Sequence, residues 1–86
     1  IHVSDASNAV VASLGSDESS TFNVAGPEVL SLFQISETIG ARLGIEVNYT
    51  REETEPRDLV GDISAMREKL VSPAIRFDDG MEDLLP

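Results

Sequence analysis

Two arginines, Arg51 and Arg57, are the residues whose type and position best fit ligand binding. They are the only bases in the acidic stretch 50–58, and they lie on either side of Pro56. A guanidinium group binds phosphate through two parallel hydrogen bonds, so this pair could hold a phosphorylated ligand. The alternative is a pair of loop salt bridges, each contributing about 0–1 kcal/mol. Spacing alone favours the salt bridges.

Groups for dehydrogenase-type catalysis are missing from the sequence. A tyrosine four residues before a lysine would form the acid–base pair, but Tyr49 is followed at that distance by Glu53. The six glycines never reach the G-x-G-x-x-G spacing that places a dinucleotide's pyrophosphate on a helix N-terminus. Clustered loop acids are usually solvated charges. We therefore predict no catalytic residue and no cofactor bound by this chain itself.

A metal site is not expected either. His2 is the only histidine and there is no cysteine, so the usual nitrogen and sulfur ligands of transition metals are too few. Asp78, Asp79 and Gly80 resemble part of a calcium loop but lack its alternating ligands. We predict that Asp78 is a helix cap instead.

The charge of the chain excludes several partners. Sixteen acids against six bases give a net charge of −10, which repels the backbone of nucleic acids and anionic membrane surfaces. The start of the chain resembles neither a signal peptide nor a membrane span. We expect no nucleic-acid partner and no membrane partner, and the lack of cysteine favours the reducing cytoplasm.

The first half of the chain predicts a helix, a loop and a strand. Ser4 and Asp5 are capping residue types, and the apolar spacing after them predicts a helix over about 5–14 that Gly15 ends. Residues 15–20 have no periodicity and indicate a loop. The β-rich run at 21–24 indicates a buried strand.

A second helix and a second strand follow. Ser31 and Gln34 have the spacing of a capping box, and apolar residues recur at helical intervals up to Gly44. Apolar and polar residues alternate over 45–49, which predicts a strand with one buried face. A strand, helix and strand of this length favour parallel pairing. The predicted fold class is therefore α/β, a small β-α-β subdomain with short parallel strands and three to four helices.

The last third of the chain predicts a loop and two short helices. Residues 50–58 are acidic and irregular, which indicates a surface loop. Asp62 is placed to cap a helix that Pro73 stops, and Asp78 is placed to cap a final short helix.

Three short motifs occur in a fixed order: I-H-V-S-D at 1–5, T-F-N-V-A-G at 21–26 and D-I-S-A-M at 62–66. With these motifs the chain resembles the NAD-dependent epimerase/dehydratase family, the extended short-chain dehydrogenase/reductases, over nearly its whole length. The resemblance implies that residues 1–86 form a single C-terminal substrate-binding subdomain, the non-Rossmann lobe, with the NAD-binding Rossmann domain upstream and absent from this chain. A start at Ile1, directly before a helical pattern, is also what a piece of a larger enzyme is expected to show.

The resemblance also implies a site. In such enzymes an arginine in the loop before the D-I-S helix reaches the diphosphate of a nucleoside-diphosphate sugar, which makes Arg57 the first choice and Arg51 the second. NAD or NADP would be bound by the parent protein, which would be a homodimer and would carry the Tyr–Lys pair. His2 and Asp5 match architectural positions, His2 orienting a strand end and Asp5 starting a helix. This chain alone is expected to catalyse nothing.

Two other functions remain open at this point. One is a free-standing acidic module whose exposed apolar face docks a protein partner, since a chain this short has a marginal core. The other is a non-catalytic member of the family that binds a nucleotide and regulates. The residues do not choose among epimerisation, dehydration, reduction and decarboxylation.

Overall fold

The protein is described from a computed structural model, which covers residues 1–50, 55 and 57–85. Its elements are helices joined by irregular segments. The four α-helices, α1 to α4 in chain order, are Val3–Ser13, Leu32–Leu43, Ser64–Lys69 and Phe77–Gly80, and a 3-10 turn at Met81–Asp83 continues α4. None of the described residues lies in a strand.

The predicted β-α-β subdomain with short parallel strands is therefore wrong. Residues 21–24 and 45–49 are both described and neither forms a strand. A strand requires a hydrogen-bonded neighbour, and no backbone hydrogen bond joins these two segments. The composition of each segment suits a strand, but the ladder that would make it one is not formed. The described residues form a helical assembly.

Residues 45–49 run back along α2 instead. Gly44 has a left-handed conformation with φ 67° and ends the helix, and the backbone N–H of Ile45 donates to the carbonyl of Gly40 at 3.0 Å. Val47 then lies directly against Gly40, so that a Cβ added at position 40 would collide with the side chain of Val47. The apolar residue of the alternating pattern thus packs on a helix, where the sequence predicted a neighbouring strand.

The prediction for α2 is confirmed in detail. The Ser31 side chain accepts from the backbone N–H of Gln34 at 3.1 Å, and the Gln34 side chain accepts from the backbone N–H of Ser31 at 2.8 Å. This reciprocal pair is a capping box, which satisfies two donors that a helix start otherwise leaves open. Local residues are therefore sufficient to set both ends of α2.

The start of α1 differs from the prediction. The helix begins at Val3 and its N-cap is His2, whose Nδ1 accepts from the backbone N–H of Ser4 at 3.1 Å. Because Nδ1 accepts, Nε2 carries the proton in the neutral ring and donates to Asp83 at 3.0 Å. His2 is therefore the N-cap of α1, whereas the sequence pattern predicted Ser4 and Asp5 as the capping residues.

Asp5 ties α1 to the end of the chain. Its carboxylate is buried, with 4% of the residue exposed, and it accepts from the backbone N–H groups of Ala74 at 3.0 Å and Ile75 at 2.8 Å. A buried carboxylate costs free energy unless hydrogen bonds compensate it, and these two donors do so. The prediction that Asp5 starts a helix is wrong, because its carboxylate accepts from backbone N–H groups up to 70 positions away in the sequence.

Asp62 acts at the start of α3, as predicted. Its carboxylate accepts from both the backbone N–H and the hydroxyl of Ser64, at 3.0 and 2.6 Å. These hydrogen bonds favour the ionised form and lower the pKa of Asp62. The N-cap position itself is held by Ile63, one residue later than the prediction.

The apolar core of the described residues is very small. Its buried members are Ala9, Met66 and Met81. The accessible surface is 7150 Å², against about 5,000 Å² for a compact folded protein of this mass. The radius of gyration is 15.9 Å, against about 12 Å for a compact chain of this length. Much apolar surface therefore remains uncovered by the chain's own residues.

Among the described residues, no helix has the length and hydropathy needed to span a bilayer.

Candidate functional site

Of the two arginines predicted to bind substrate, only Arg57 lies among the described residues. Arg57 is exposed and lies in the irregular segment before α3. Arg51 lies outside the described residues. The ion pairs formed between described residues use Arg42, Arg76 and His2. Arg57 is therefore described as a solvent-exposed residue.

A concavity lies elsewhere, between α2 and the start of α4. It is an open groove of about 640 Å³. Its wall combines aromatic rings with carboxylates, and its lining residues are Glu28, Leu30, Phe33, Gln34, Glu37, Thr38, Ala41, Arg76, Phe77 and Asp78. Neither arginine of the predicted site lines this groove.

Glu28 positions the wall formed by α4. One carboxylate oxygen accepts from the backbone N–H of Phe77 at 2.9 Å, and the other accepts from the guanidinium of Arg76 at 3.0 Å. A carboxylate at a helix start satisfies an open N–H group and interacts favourably with the helix dipole. Sequence analysis missed Glu28, because a glutamate 49 residues away from its partner leaves no local signal.

Asp78 forms the other connection across the groove. Its carboxylate accepts from Nε of Arg42 in α2 at 2.9 Å. The prediction that Asp78 caps the final helix is wrong, because α4 begins one residue earlier, at Phe77, and Glu28 takes the N–H at its start. The Arg42–Asp78 pair joins the two helices that border the groove.

An aromatic pair stands at the other end of α2. The rings of Phe33 and Tyr49 are stacked, with centroids 5.3 Å apart and planes inclined by 26°. The Tyr49 hydroxyl donates to a carboxylate oxygen of Glu37. This hydrogen bond, with smaller contributions from desolvation and the charge of Glu37, raises the pKa of Tyr49 to about 12. Tyr49 therefore stays a neutral phenol and is poorly suited to act as a general base.

The chemistry of the groove is that of a binding surface. Its carboxylates at Glu28, Glu37 and Asp78 already accept from neighbouring side chains or backbone. In the part of the chain that the structure describes, no group of three or more potential ligands could hold a metal ion. These residues can hold a ligand by stacking and hydrogen bonding, but they present no activated nucleophile.

Comparison with known proteins adds no relative, because no family model, no curated protein and no solved structure matches the chain.

Proposed function

We propose that this chain is the substrate-side part of an NAD(P)-dependent nucleotide-sugar epimerase or dehydratase. It would hold the diphosphate of a nucleoside-diphosphate sugar through Arg57 and Arg51, in the cytoplasm, and would perform no chemistry alone. NAD or NADP and the acid–base pair would belong to a nucleotide-binding domain on the same protein. The observation that carries the proposal is the ordered set of motifs at 1–5, 21–26 and 62–66, with Arg57 placed before the last of them.

The positions of the motif residues support this proposal. His2 and Asp5, both in the first motif, hold the start of α1 against Asp83 and against the backbone at 74 and 75. Asp62, the first residue of the third motif, organises the start of α3. These residues therefore have architectural roles, which leaves ligand binding to other side chains, among them the exposed Arg57.

The surface of the chain supports a role within a larger protein. Its accessible area exceeds that of a compact protein of its mass by roughly 2,000 Å². A typical stable interface buries about 800 Å² on each partner. The uncovered surface is large enough to dock on a neighbouring domain, which the proposal identifies as the nucleotide-binding domain.

The arginine assignment is tested by calorimetry with a nucleoside diphosphate on the protein that carries both domains. We expect Arg57→Ala to weaken binding by about 1–3 kcal/mol, the contribution of a hydrogen bond to a charged group, and to leave NAD binding unchanged. Arg67→Ala is the matched control, because Arg67 is also an exposed arginine, on α3. It removes the same charge from the chain without removing the proposed contact.

Three results would count against the proposal. The first is an unchanged diphosphate affinity in the Arg57→Ala variant. The second is a coding region upstream of this segment without a strand, glycine-rich turn and helix of the dinucleotide-binding type. Equal losses in the Arg57→Ala and Arg67→Ala variants would also count against a specific contact, because they would indicate only a change in overall charge.

A free-standing acidic interaction module is the second candidate. The exposed large apolar side chains favour it, since they include Leu32, Phe33 and Leu59 and could dock a protein partner. Mass spectrometry of the naturally expressed protein separates the two candidates. A stable polypeptide of this length would support the module, whereas a longer protein that binds NAD would support the enzyme.

A further inference from the structure

The groove between α2 and the start of α4 is elongated along α2. Its α2 wall is a stripe of side chains on one side of the helix, which contains Phe33, Gln34, Glu37, Thr38 and Ala41. At 1.5 Å per residue, the stripe from Phe33 to Ala41 is about 12 Å long. An extended chain advances about 3.3 Å per residue. The groove therefore has the length of roughly four residues of an extended peptide.

The carboxylates of the groove differ in their partners. Glu28 pairs with Arg76 at 3.0 Å, and Asp78 pairs with Arg42 at 2.9 Å. Among the described residues, Glu37 is the groove carboxylate that forms no ion pair. The negative charge of the groove is therefore concentrated at Glu37.

An aromatic surface lies one helical turn before this carboxylate. Phe33 and Glu37 are four residues apart in α2, so their side chains share one side of the helix. Tyr49 stacks on the Phe33 ring and donates its hydroxyl to Glu37. Phe33 is nevertheless 61% exposed, which leaves ring surface for a ligand. A guanidinium group suits this pair, because its edge donates two hydrogen bonds to a carboxylate and its plane stacks on aromatic rings.

The charge of Glu37 also selects between classes of occupant. An uncharged ligand would remove water from the carboxylate without supplying an opposite charge, which costs free energy. An anionic ligand, or a second copy of a chain whose net charge is −10, would be repelled. A cationic group replaces the lost water with charge-assisted hydrogen bonds.

We infer that the groove binds an extended peptide segment that carries an arginine side chain. The guanidinium of the peptide donates to Glu37 and stacks on Phe33. The rest of the segment lies along the groove, against the apolar side chains of Ala41 and Phe77. The inference is independent of the proposed function, because Arg57 does not line the groove.

The first test uses the natural chain and three synthetic peptides of alanine and leucine that differ in one central residue. That residue is arginine, lysine, which has the charge without the planar fork, or citrulline, which has the shape without the charge. Tyr49 is the only tyrosine and there is no tryptophan, so the tyrosine fluorescence of the chain reports binding next to Glu37.

We expect the citrulline peptide to bind at least about tenfold more weakly than the arginine peptide, because the charge-assisted hydrogen bonds are lost. The lysine peptide should have an intermediate affinity. Equal binding of the arginine and citrulline peptides would overturn the inference, and equal binding of the arginine and lysine peptides would reject the guanidinium contact. Neither comparison requires a variant of the chain to fold.

A substitution in the groove locates the contact. Glu37→Gln removes the charge and keeps the shape, and Glu68→Gln is the matched control, because Glu68 is an exposed acid on α3, outside the groove. Glu37→Gln should weaken binding of the arginine peptide about tenfold and leave the citrulline peptide unchanged. Glu68→Gln should change neither. Equal losses in the two variants would overturn the inference, because they would show only attraction to the net charge of −10.

A last comparison separates a peptide from a small cation. N-acetylarginine amide carries the same guanidinium without the flanking residues, so it should bind at least about tenfold more weakly than the arginine peptide, whose further contacts bury apolar surface. Equal affinity would assign the groove to a small cation and overturn the peptide. Phe33→Leu, which removes the ring but keeps an apolar side chain, should reduce the preference for arginine over lysine. An unchanged preference would reject stacking on Phe33.

Discussion

Two regions hold this chain together in different ways. The terminal junction, formed by residues 2–5 and 74–83, connects residues that are about 70 to 80 positions apart: His2 donates to Asp83, and Asp5 accepts from the backbone at 74 and 75. The α2 reversal, formed by residues 31–49, folds a short segment back onto the helix that precedes it. The first depends on a buried carboxylate, the second on local turns and surface contacts. Loss of the first should therefore cost much more.

The largest expected effect is that of Asp5→Ala in the terminal junction. The substitution leaves the N–H groups of Ala74 and Ile75 without their acceptor. An unsatisfied donor costs about 1–3 kcal/mol when it is fully buried, and these two donors are only partly buried. We therefore expect a loss of roughly 2–3 kcal/mol in stability of the junction. Amide hydrogen exchange at residues 74 and 75 measures it directly, because both amides should lose protection.

Asp17→Ala is the control for this experiment. It removes the same charged group from an exposed loop, so its effect should stay within about 0.5 kcal/mol. Retained protection of both amides in the Asp5→Ala variant would show that other acceptors, such as water, replace the carboxylate.

An intermediate effect is expected for Gly40→Ala in the α2 reversal. A Cβ at this position would collide with Val47 and approach the carbonyl oxygen of Ile45 to 3.2 Å. The cost of overpacking is partly offset by the better helix propensity of alanine, which leaves a net loss of roughly 1–2 kcal/mol. Chemical denaturation followed by circular dichroism measures this loss.

Two further variants locate its cause. Gly15→Ala should be close to neutral, since its nearest neighbour, the carbonyl oxygen of Ala12, is at an ordinary contact distance of 3.6 Å. Adding Val47→Ala to Gly40→Ala should recover most of the lost stability. If it recovers none, residues 45–49 do not pack on α2 in solution.

The same two regions show what the sequence alone can predict. The ends of α2 were correctly predicted, because Ser31, Gln34 and Gly44 set them through contacts within a few residues. The strands at 21–24 and 45–49 were wrong, because an alternating pattern says that one face is covered but not whether a strand or a helix covers it. For residues 45–49 the cover is α2.

The terminal junction and the groove could not be predicted from spacing. The carboxylates of Asp5 and Glu28 accept from backbone N–H groups that lie 70 and 49 positions away in the sequence. In the sequence, a carboxylate beside a helical pattern looks the same whether it caps that helix or accepts hydrogen bonds from a distant segment. For the predicted substrate site, exposure of Arg57 agrees with ligand binding, whereas the phosphate contact itself stays a prediction. Its partner Arg51 lies outside the described residues.

The smallest expected effect is a change in titration at the end of the α2 reversal. Tyr49 is the only tyrosine and there is no tryptophan, so ultraviolet absorbance reports its ionisation alone. The hydrogen bond to Glu37 raises the pKa of Tyr49 to about 12, against about 10 in an unfolded chain. The contact therefore stabilises the fold below about pH 10, and this stabilisation is lost as the pH rises towards 12.

Glu37→Ala should move the absorbance midpoint back towards 10, while Glu46→Ala, which changes an exposed acid, should not. A native absorbance midpoint already near 10 would show that the Tyr49 hydroxyl does not bind Glu37, so that the α2 reversal would lack this contact between residue 49 and the helix.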